Sequence, residues 1–100
     1  MTREYDYLKE LSGTGTVEEL RDNLISLGIK GTVGSFEECP LAHALEAEFR
    51  VVYGIGRKRA RDKQCIWKGT EFLMKSVELP EVAREFLAYF DNCKIPELIG

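Results

Sequence analysis

Apolar residues recur every three or four positions near both ends of the chain, which is the spacing of helices with one buried face. Residues 2–11 place Tyr5, Leu8 and Leu11 three apart, and Gly13 follows them. This pattern predicts a short N-terminal helix.

The strongest helix signal covers residues 17–27. Thr16 and Glu19 form a capping box, in which the threonine oxygen accepts from the backbone of Glu19 and the glutamate side chain returns to the backbone of Thr16. Gly28 supplies a left-handed stop, and Ile29 supplies the apolar contact behind it. The predicted apolar stripe comprises Val17, Leu20, Leu24 and Leu27.

The next helix has two competing starts after a predicted loop over residues 30–38. Ser35 and Glu38 form a second formal capping box, but a helix beginning at Phe36 would place Pro40 where backbone donors are needed. We therefore predict a helix with Cys39 as N-cap and Pro40 at its first position. The residues descending its turns are Leu41, Ala44, Leu45 and Glu48.

In the middle of the chain, apolar residues occur at every second position instead of at helical spacing. Apolar residues at 49, 51, 53 and 55 predict a strand that Gly54 and Gly56 end. Residues 63–68 alternate again through Cys65 and Trp67, and residues 71–79 form a third apolar run. Three such runs in succession predict an antiparallel meander.

The chain closes with a predicted helix that starts at Leu79-Pro80-Glu81, followed by an irregular arm over residues 95–99. Its apolar stripe comprises Val82, Phe86, Leu87 and Phe90. The order (α)ααβββα predicts one α+β domain over residues 1–100, in which a three-stranded antiparallel sheet packs against two to four helices.

Composition narrows the class of protein. The 100 residues are 44% hydrophobic and 31% charged, which is typical of a globular domain and excludes a disordered chain. Charges interrupt the first twenty residues and no run of eighteen apolar residues exists, so we expect a soluble protein without a membrane span. Three widely spaced cysteines favour a reducing cytoplasm over a disulfide framework.

The net charge of the chain is −3, but one stretch is basic: residues 57–63 hold five bases and one acid. This predicted hairpin tip is the candidate binding site, formed by Arg57, Lys58, Arg59, Arg61 and Lys63. The alternative interpretation is a solvated turn that prevents the sheet from pairing with other chains. Gly54 and Gly56 precede it, but a third glycine and a following helix are missing, so the motif does not predict a nucleotide cradle.

Cys39 and His43 are the candidate catalytic pair, because residues four apart on a helix face the same side. A helix N-terminus favours the thiolate, whereas Glu37 and Glu38 oppose it. The simpler interpretation is a buried cap residue beside an ordinary histidine. A metal site would need Cys39, His43 and then Cys65 or Cys93, whose spacing fits no compact zinc motif, so we predict neither metal nor cofactor.

The aromatic residues are expected in the core first, because they alternate with other apolar positions. A platform on which bases stack is the alternative for the set Tyr53, Trp67, Phe72, Tyr89 and Phe90.

Short motifs at 28–31 (Gly-Ile-Lys-Gly), 39–42 (Cys-Pro-Leu-Ala), 86–91 (Phe-Leu-Ala-Tyr-Phe-Asp) and 96–98 (Pro-Glu-Leu) occur along the chain. Together they resemble a pattern in small uncharacterised proteins of actinobacteria and their phages. The resemblance implies an intracellular accessory domain and transfers no catalytic role. Such proteins often have an aromatic residue after the Cys-Pro-Leu-Ala motif, where this chain has His43.

The sequence thus predicts a small cytoplasmic, non-catalytic module of interaction or regulation whose partner is another protein. One rival is a nucleic-acid-binding module that uses residues 57–63, which the low pI of about 5.2 disfavours. Convergence of Arg21, Lys30 and Lys68 beside that segment would favour this rival. The other rival is a cysteine-dependent enzyme that uses Cys39 and His43.

Overall fold

The computed structural model describes residues 2–35, 38–56, 61, 63–68 and 76–100, with the side chains of Lys68 and Ser76 left aside. Its elements are α1 (Arg3–Leu11), α2 (Val17–Ser26), α3 (Pro40–Phe49), β1 (Tyr53–Gly56), β2 (Cys65–Lys68), β3 (Ser76–Glu78), α4 (Glu81–Asp91) and a 3₁₀ turn (Pro96–Leu98). This order confirms the predicted α+β class.

The three strands form an antiparallel sheet in the order β1-β2-β3, which confirms the meander. Ile55 faces Ile66, and Ile66 faces Val77 across the sheet. Because side chains alternate along a strand, these three residues share one face, and Ile55 and Ile66 are buried. Helix α3 packs on β1 and α1 on β3, while α2 and α4 pack on each other and on α1. The large buried side chains that the helices contribute to the core include Leu8, Leu20, Leu24, Leu41, Leu45, Phe86 and Phe90.

Helix α2 begins and ends as the sequence predicts, with two local corrections. The Thr16 side chain accepts from Glu19 N at 3.2 Å, but the Glu19 carboxylate bonds Thr14 instead of returning to Thr16. At the other end Gly28 has φ +72° and Ile29 N donates to Leu24 O at 3.1 Å, which is a Schellman end. The predicted stripe stops early, because Leu27 is 55% exposed.

Helix α3 starts at Pro40 with Cys39 as N-cap, as predicted, and the rival start at Phe36 lies outside the described residues. The predicted strand start at Phe49 is wrong, because Phe49 is the last residue of α3. Its ring packs edge-on against Tyr7 and Tyr53, at centroid distances of 5.6 and 6.4 Å. Arg50 then ends the helix at φ +60°, and the strand begins at Tyr53.

The strands are shorter than the predicted ranges. Gly54 and Gly56 lie within β1 instead of ending it. The second strand begins at Cys65, two residues later than predicted. Of the third predicted run, residues 76–78 form β3 and residues 71–75 lie outside the described part.

The C-terminal arm is ordered by pairing with the loop after α2. Gly31 N donates to Leu98 O at 2.7 Å, and Gly100 N donates to Gly31 O at 3.1 Å. Glycine is required here because a Cβ at Gly31 would collide with the ring of Pro40 and with the Glu38 carbonyl. Leu98 of this arm is fully buried and belongs to the same core as Phe86 and Phe90 of α4.

Candidate sheet-face site

The outer face of the sheet carries the sole tryptophan of the chain. Trp67 follows the buried Ile66 on β2, so its side chain leaves the sheet on the side opposite the core. Its register partner on β1 is Gly54, which has no side chain to occupy that face. The expectation that Trp67 belongs to the core is therefore wrong.

The indole of Trp67 reaches across to the neighbouring strand. Its Nε1–H donates to Gly56 O at 3.1 Å, and the residue is partly buried. This bond fixes the ring over a strand that is glycine at both outward positions, Gly54 and Gly56. Because the only polar atom of the ring is already bonded, the exposed part of the ring is apolar.

The basic segment of residues 57–63 lies between β1 and β2 in the sequence. It connects Gly56 to Cys65 through Gln64, and Gly56 and Cys65 are register partners at one end of the β1-β2 pair. Arg61 and Lys63 are exposed, whereas Arg57, Lys58 and Arg59 lie outside the described residues. Of the predicted binding residues, two are therefore described, and Lys63 lines a groove with Tyr5 of α1 and Arg84 of α4.

Arg21, Lys30 and Lys68, whose convergence would favour nucleic-acid binding, do not lie together. Arg21 pairs with Asp22 on α2 at 3.0 Å, and α2 packs on α1, α4 and the 3₁₀ turn. Lys30 lies in the loop after α2, where its carbonyl is a partner of His43. Lys68 pairs with Tyr53 at the opposite end of the strands from Gly56. The described part of the chain thus assembles no extended basic surface around the segment.

Cys39 is 4% exposed, and burial raises the pKa of its thiol to about 11. The backbone N–H groups of Leu41 and Ala42 favour the thiolate, but the effect of burial outweighs them. The thiol is therefore protonated at neutral pH.

Both ring nitrogens of His43 have oxygen partners. Nδ1 donates to Lys30 O at 2.6 Å, and Nε2 lies 3.1 Å from Glu38 Oε2. Among the described residues, no hydrogen bond joins this ring to the Cys39 thiol. His43 thus ties the loop before α3 to the loop after α2.

The cysteines do not gather into a metal site. Cys65 is partly buried and donates to Lys63 O at 3.4 Å, and Cys93 is exposed after α4. Within the described ranges, no three His, Cys, Asp or Glu residues are placed to hold a metal ion.

A buried polar pair between α1 and β1 has no signal in the sequence. Tyr53 is fully buried, and its hydroxyl donates to Glu4 Oε2 at 2.7 Å. Burial disfavours the Glu4 carboxylate, but hydrogen bonds from Tyr53, its own backbone and Arg3 lower its pKa below the ordinary value. Burial and the bond to Glu4 raise the pKa of Tyr53 to about 12. The residues are 49 apart, so spacing does not indicate this pair.

An open groove also runs between α1, α4 and the edge of the sheet. Its charged lining is of both signs: Lys63, Glu78, Glu81, Arg84 and Glu85. Arg84 Nε is buried without a hydrogen-bond partner among the described residues, and its Nη2 lies 3.8 Å from Glu78 Oε1. The mixture of charges favours no single class of ligand.

Comparisons with protein-family models, with curated proteins and with solved structures give no match for this chain. Among the described helices, none has the length and apolar character that crossing a membrane requires.

Proposed function

We propose that this protein is a non-catalytic interaction module that binds another protein through the outer face of its sheet. The observation that carries the proposal is the position of Trp67, which lies across Gly54 on the face opposite the core. Tryptophan is enriched where protein interfaces derive most of their binding energy.

The state of the cysteine and histidine side chains supports binding over catalysis. The Cys39 thiol is buried and protonated, and the partners of the His43 ring are Lys30 and Glu38. A cysteine enzyme would need both groups to move before a thiolate could form beside the imidazole. Three free cysteines further support a place in the reducing cytoplasm.

Nucleic-acid binding is the second candidate, because Arg61 and Lys63 are exposed bases and the aromatic Trp67 follows them on β2. The low pI and the separation of Arg21, Lys30 and Lys68 favour a protein partner.

The test is affinity capture from host lysate with the wild-type protein and two variants. Trp67→Ala removes the proposed contact, and Tyr89→Ala is the matched control because Tyr89 is an exposed aromatic residue on α4. We expect at least one protein that wild type and Tyr89→Ala retain, that Trp67→Ala loses, and that survives nuclease treatment. Capture that does not depend on Trp67, or that nuclease abolishes, would contradict the proposal.

A further inference from the structure

His43 is the only histidine of the chain, and its ring lies between two oxygen atoms that accept hydrogen bonds. Nδ1 lies 2.6 Å from the Lys30 carbonyl oxygen, and Nε2 lies 3.1 Å from Glu38 Oε2. A carbonyl oxygen and an ionised carboxylate have no proton to donate. The ring therefore satisfies both contacts only as the imidazolium, which has an N–H on each nitrogen.

The neutral ring has a single N–H and keeps one of these two contacts. The shorter contact is to the Lys30 oxygen, so the N–H stays on Nδ1. The unprotonated Nε2 then presents a lone pair to the Glu38 carboxylate, and no hydrogen bond joins them. Because the Glu38 side chain is 61% exposed, water replaces the ring as its partner.

Glu38 is the charge that favours the imidazolium. Among the described residues, it supplies the sole carboxylate within 4.0 Å of the ring. The backbone N–H of His43 donates to Cys39 O at 3.0 Å in the first turn of α3, where the helix dipole disfavours positive charge. Cys39 does not offset this, because burial raises the pKa of its thiol to about 11 and keeps it uncharged. Asp91 of α4 acts on the same thiol but lies more than 4.0 Å from the ring.

Two further ionisable residues near His43 have other contacts. Lys30 offers the ring its carbonyl, and its side-chain carbons lie beside Gly100. Glu46 follows three residues after His43 on α3, and its Oε1 accepts from Tyr53 N at 3.4 Å. Between about pH 5 and pH 8 an imidazole changes its charge, whereas lysine and glutamate side chains ordinarily do not.

Glu38 also belongs to a turn that has hydrogen bonds of its own. Its carbonyl accepts from Thr32 N at 2.7 Å, and its N–H donates to Ser35 Oγ at 3.1 Å. Release of the Glu38 side chain therefore frees this turn from the ring on α3 without breaking the turn itself.

We infer that His43 and Glu38 form a proton-dependent clasp, in which the imidazolium holds Glu38 against α3 and the neutral ring releases it. The bond to Lys30 O holds the loop after α2 in both states. The clasp uses no residue of the binding face proposed around Trp67, so either proposal can fail without the other.

The experiment compares the wild type with Glu38→Gln by urea denaturation at about pH 5.5 and about pH 8, on either side of the ordinary range of an imidazole. The glutamine amide can donate to the lone pair of a neutral Nε2, so this variant reverses the preference of the contact. Asp22→Asn is the matched control, because Asp22 is 64% exposed and pairs at 3.0 Å with Arg21, whose charge is permanent. A second pair of variants repeats the comparison in a His43→Gln background.

We expect the unfolding equilibrium constant of the wild type to be about two- to fivefold smaller than that of Glu38→Gln at the lower pH, the effect of an exposed ion pair. At the higher pH this advantage should vanish or reverse. The effect of Asp22→Asn, and that of Glu38→Gln in the His43→Gln background, should not change with pH. An advantage that is absent at the lower pH, equal at both pH values or retained without His43 would overturn the inference. If His43→Gln fails to fold, the comparison at the exposed Glu38 still decides.

Discussion

Removing the hydroxyl of Tyr53 tests whether the buried pair with Glu4 ties α1 to the sheet. Tyr53→Phe keeps the ring and its edge-on packing against Phe49 but deletes the donor that lies 2.7 Å from Glu4 Oε2. Glu4 is 5% exposed, so its carboxylate would stay buried with Arg3 Nε at 3.3 Å as its remaining side-chain donor. A hydrogen bond to a charged group contributes about 1.5–3 kcal/mol, and we expect a loss of that size.

The sharper test is the double-mutant cycle with Glu4→Leu. Glu4→Leu alone leaves the Tyr53 hydroxyl buried without its acceptor, which costs about 1–3 kcal/mol. The double variant Glu4→Leu/Tyr53→Phe removes both polar groups, so its loss should fall short of the summed single losses by about 1.5–3 kcal/mol.

Urea denaturation followed by far-UV circular dichroism measures each free energy of unfolding, with the slope m compared among variants. Losses that add to within about 0.5 kcal/mol would refute the coupling, because independent sites behave that way. So would a Tyr53→Phe variant as stable as the wild type.

The gap in urea midpoint between wild type and Tyr53→Phe should narrow at both extremes of pH. Because the pKa of Glu4 is lowered, its contribution to stability is complete above the ordinary value of 4.5 and is lost as the pH falls below it. Because the pKa of Tyr53 is raised, its contribution is complete below pH 10.0 and is lost as the pH rises to about 12. A gap that stays constant with pH would contradict this. Phe86→Ala should lower the free energy of unfolding by about 3–5 kcal/mol, because Phe86 is fully buried and stacks on Phe90 at 6.2 Å. The control Tyr89→Ala, at a side chain 47% exposed, should cost about 1 kcal/mol or less, and equal losses would place the wrong face of α4 in the core. Iodoacetamide at neutral pH should modify the exposed Cys93 faster than the buried Cys39, and peptide mapping that found Cys39 modified first would restore the enzyme hypothesis.

Elements governed by local hydrogen bonding are the ones that the sequence predicts. The start of α2 at Thr16, its end at Gly28 and the start of α3 at Pro40 depend on residues within one turn of each boundary. Capping oxygens, left-handed glycine and a proline without an N–H act at that range.

Boundaries set by tertiary packing are not predicted. Phe49 has the β-propensity that suggests a strand, yet it stays in α3 because its ring packs between Tyr7 and Tyr53 with the Arg3 guanidinium 4.5 Å above it. The hydrogen bond between Tyr53 and Glu4 joins β1 to α1. The alternation of apolar residues along a strand does not indicate which residue of another element contacts Tyr53.

In the candidate site, too, the sequence predicts the local features and not those set by tertiary packing. Alternation correctly puts Cys65 and Trp67 on one face of a strand, but it does not say which face the helices cover. That choice follows from Ile66 packing with Ile55 and Val77 against the helices. The basic segment at 57–63 is visible in the sequence, whereas the pairing of Gly56 with Cys65 on either side of it is seen only in the structure.

The central claim is that a protein lies against Trp67, and photo-crosslinking in the host cell measures this directly. The photoreactive residue benzoylphenylalanine replaces Trp67 in one variant and Tyr89 in the control, and both side chains lie outside the core. We expect an adduct specific to position 67 that protease degrades and nuclease leaves intact. No adduct at position 67, the same adducts at both positions, or an adduct that nuclease removes would contradict it.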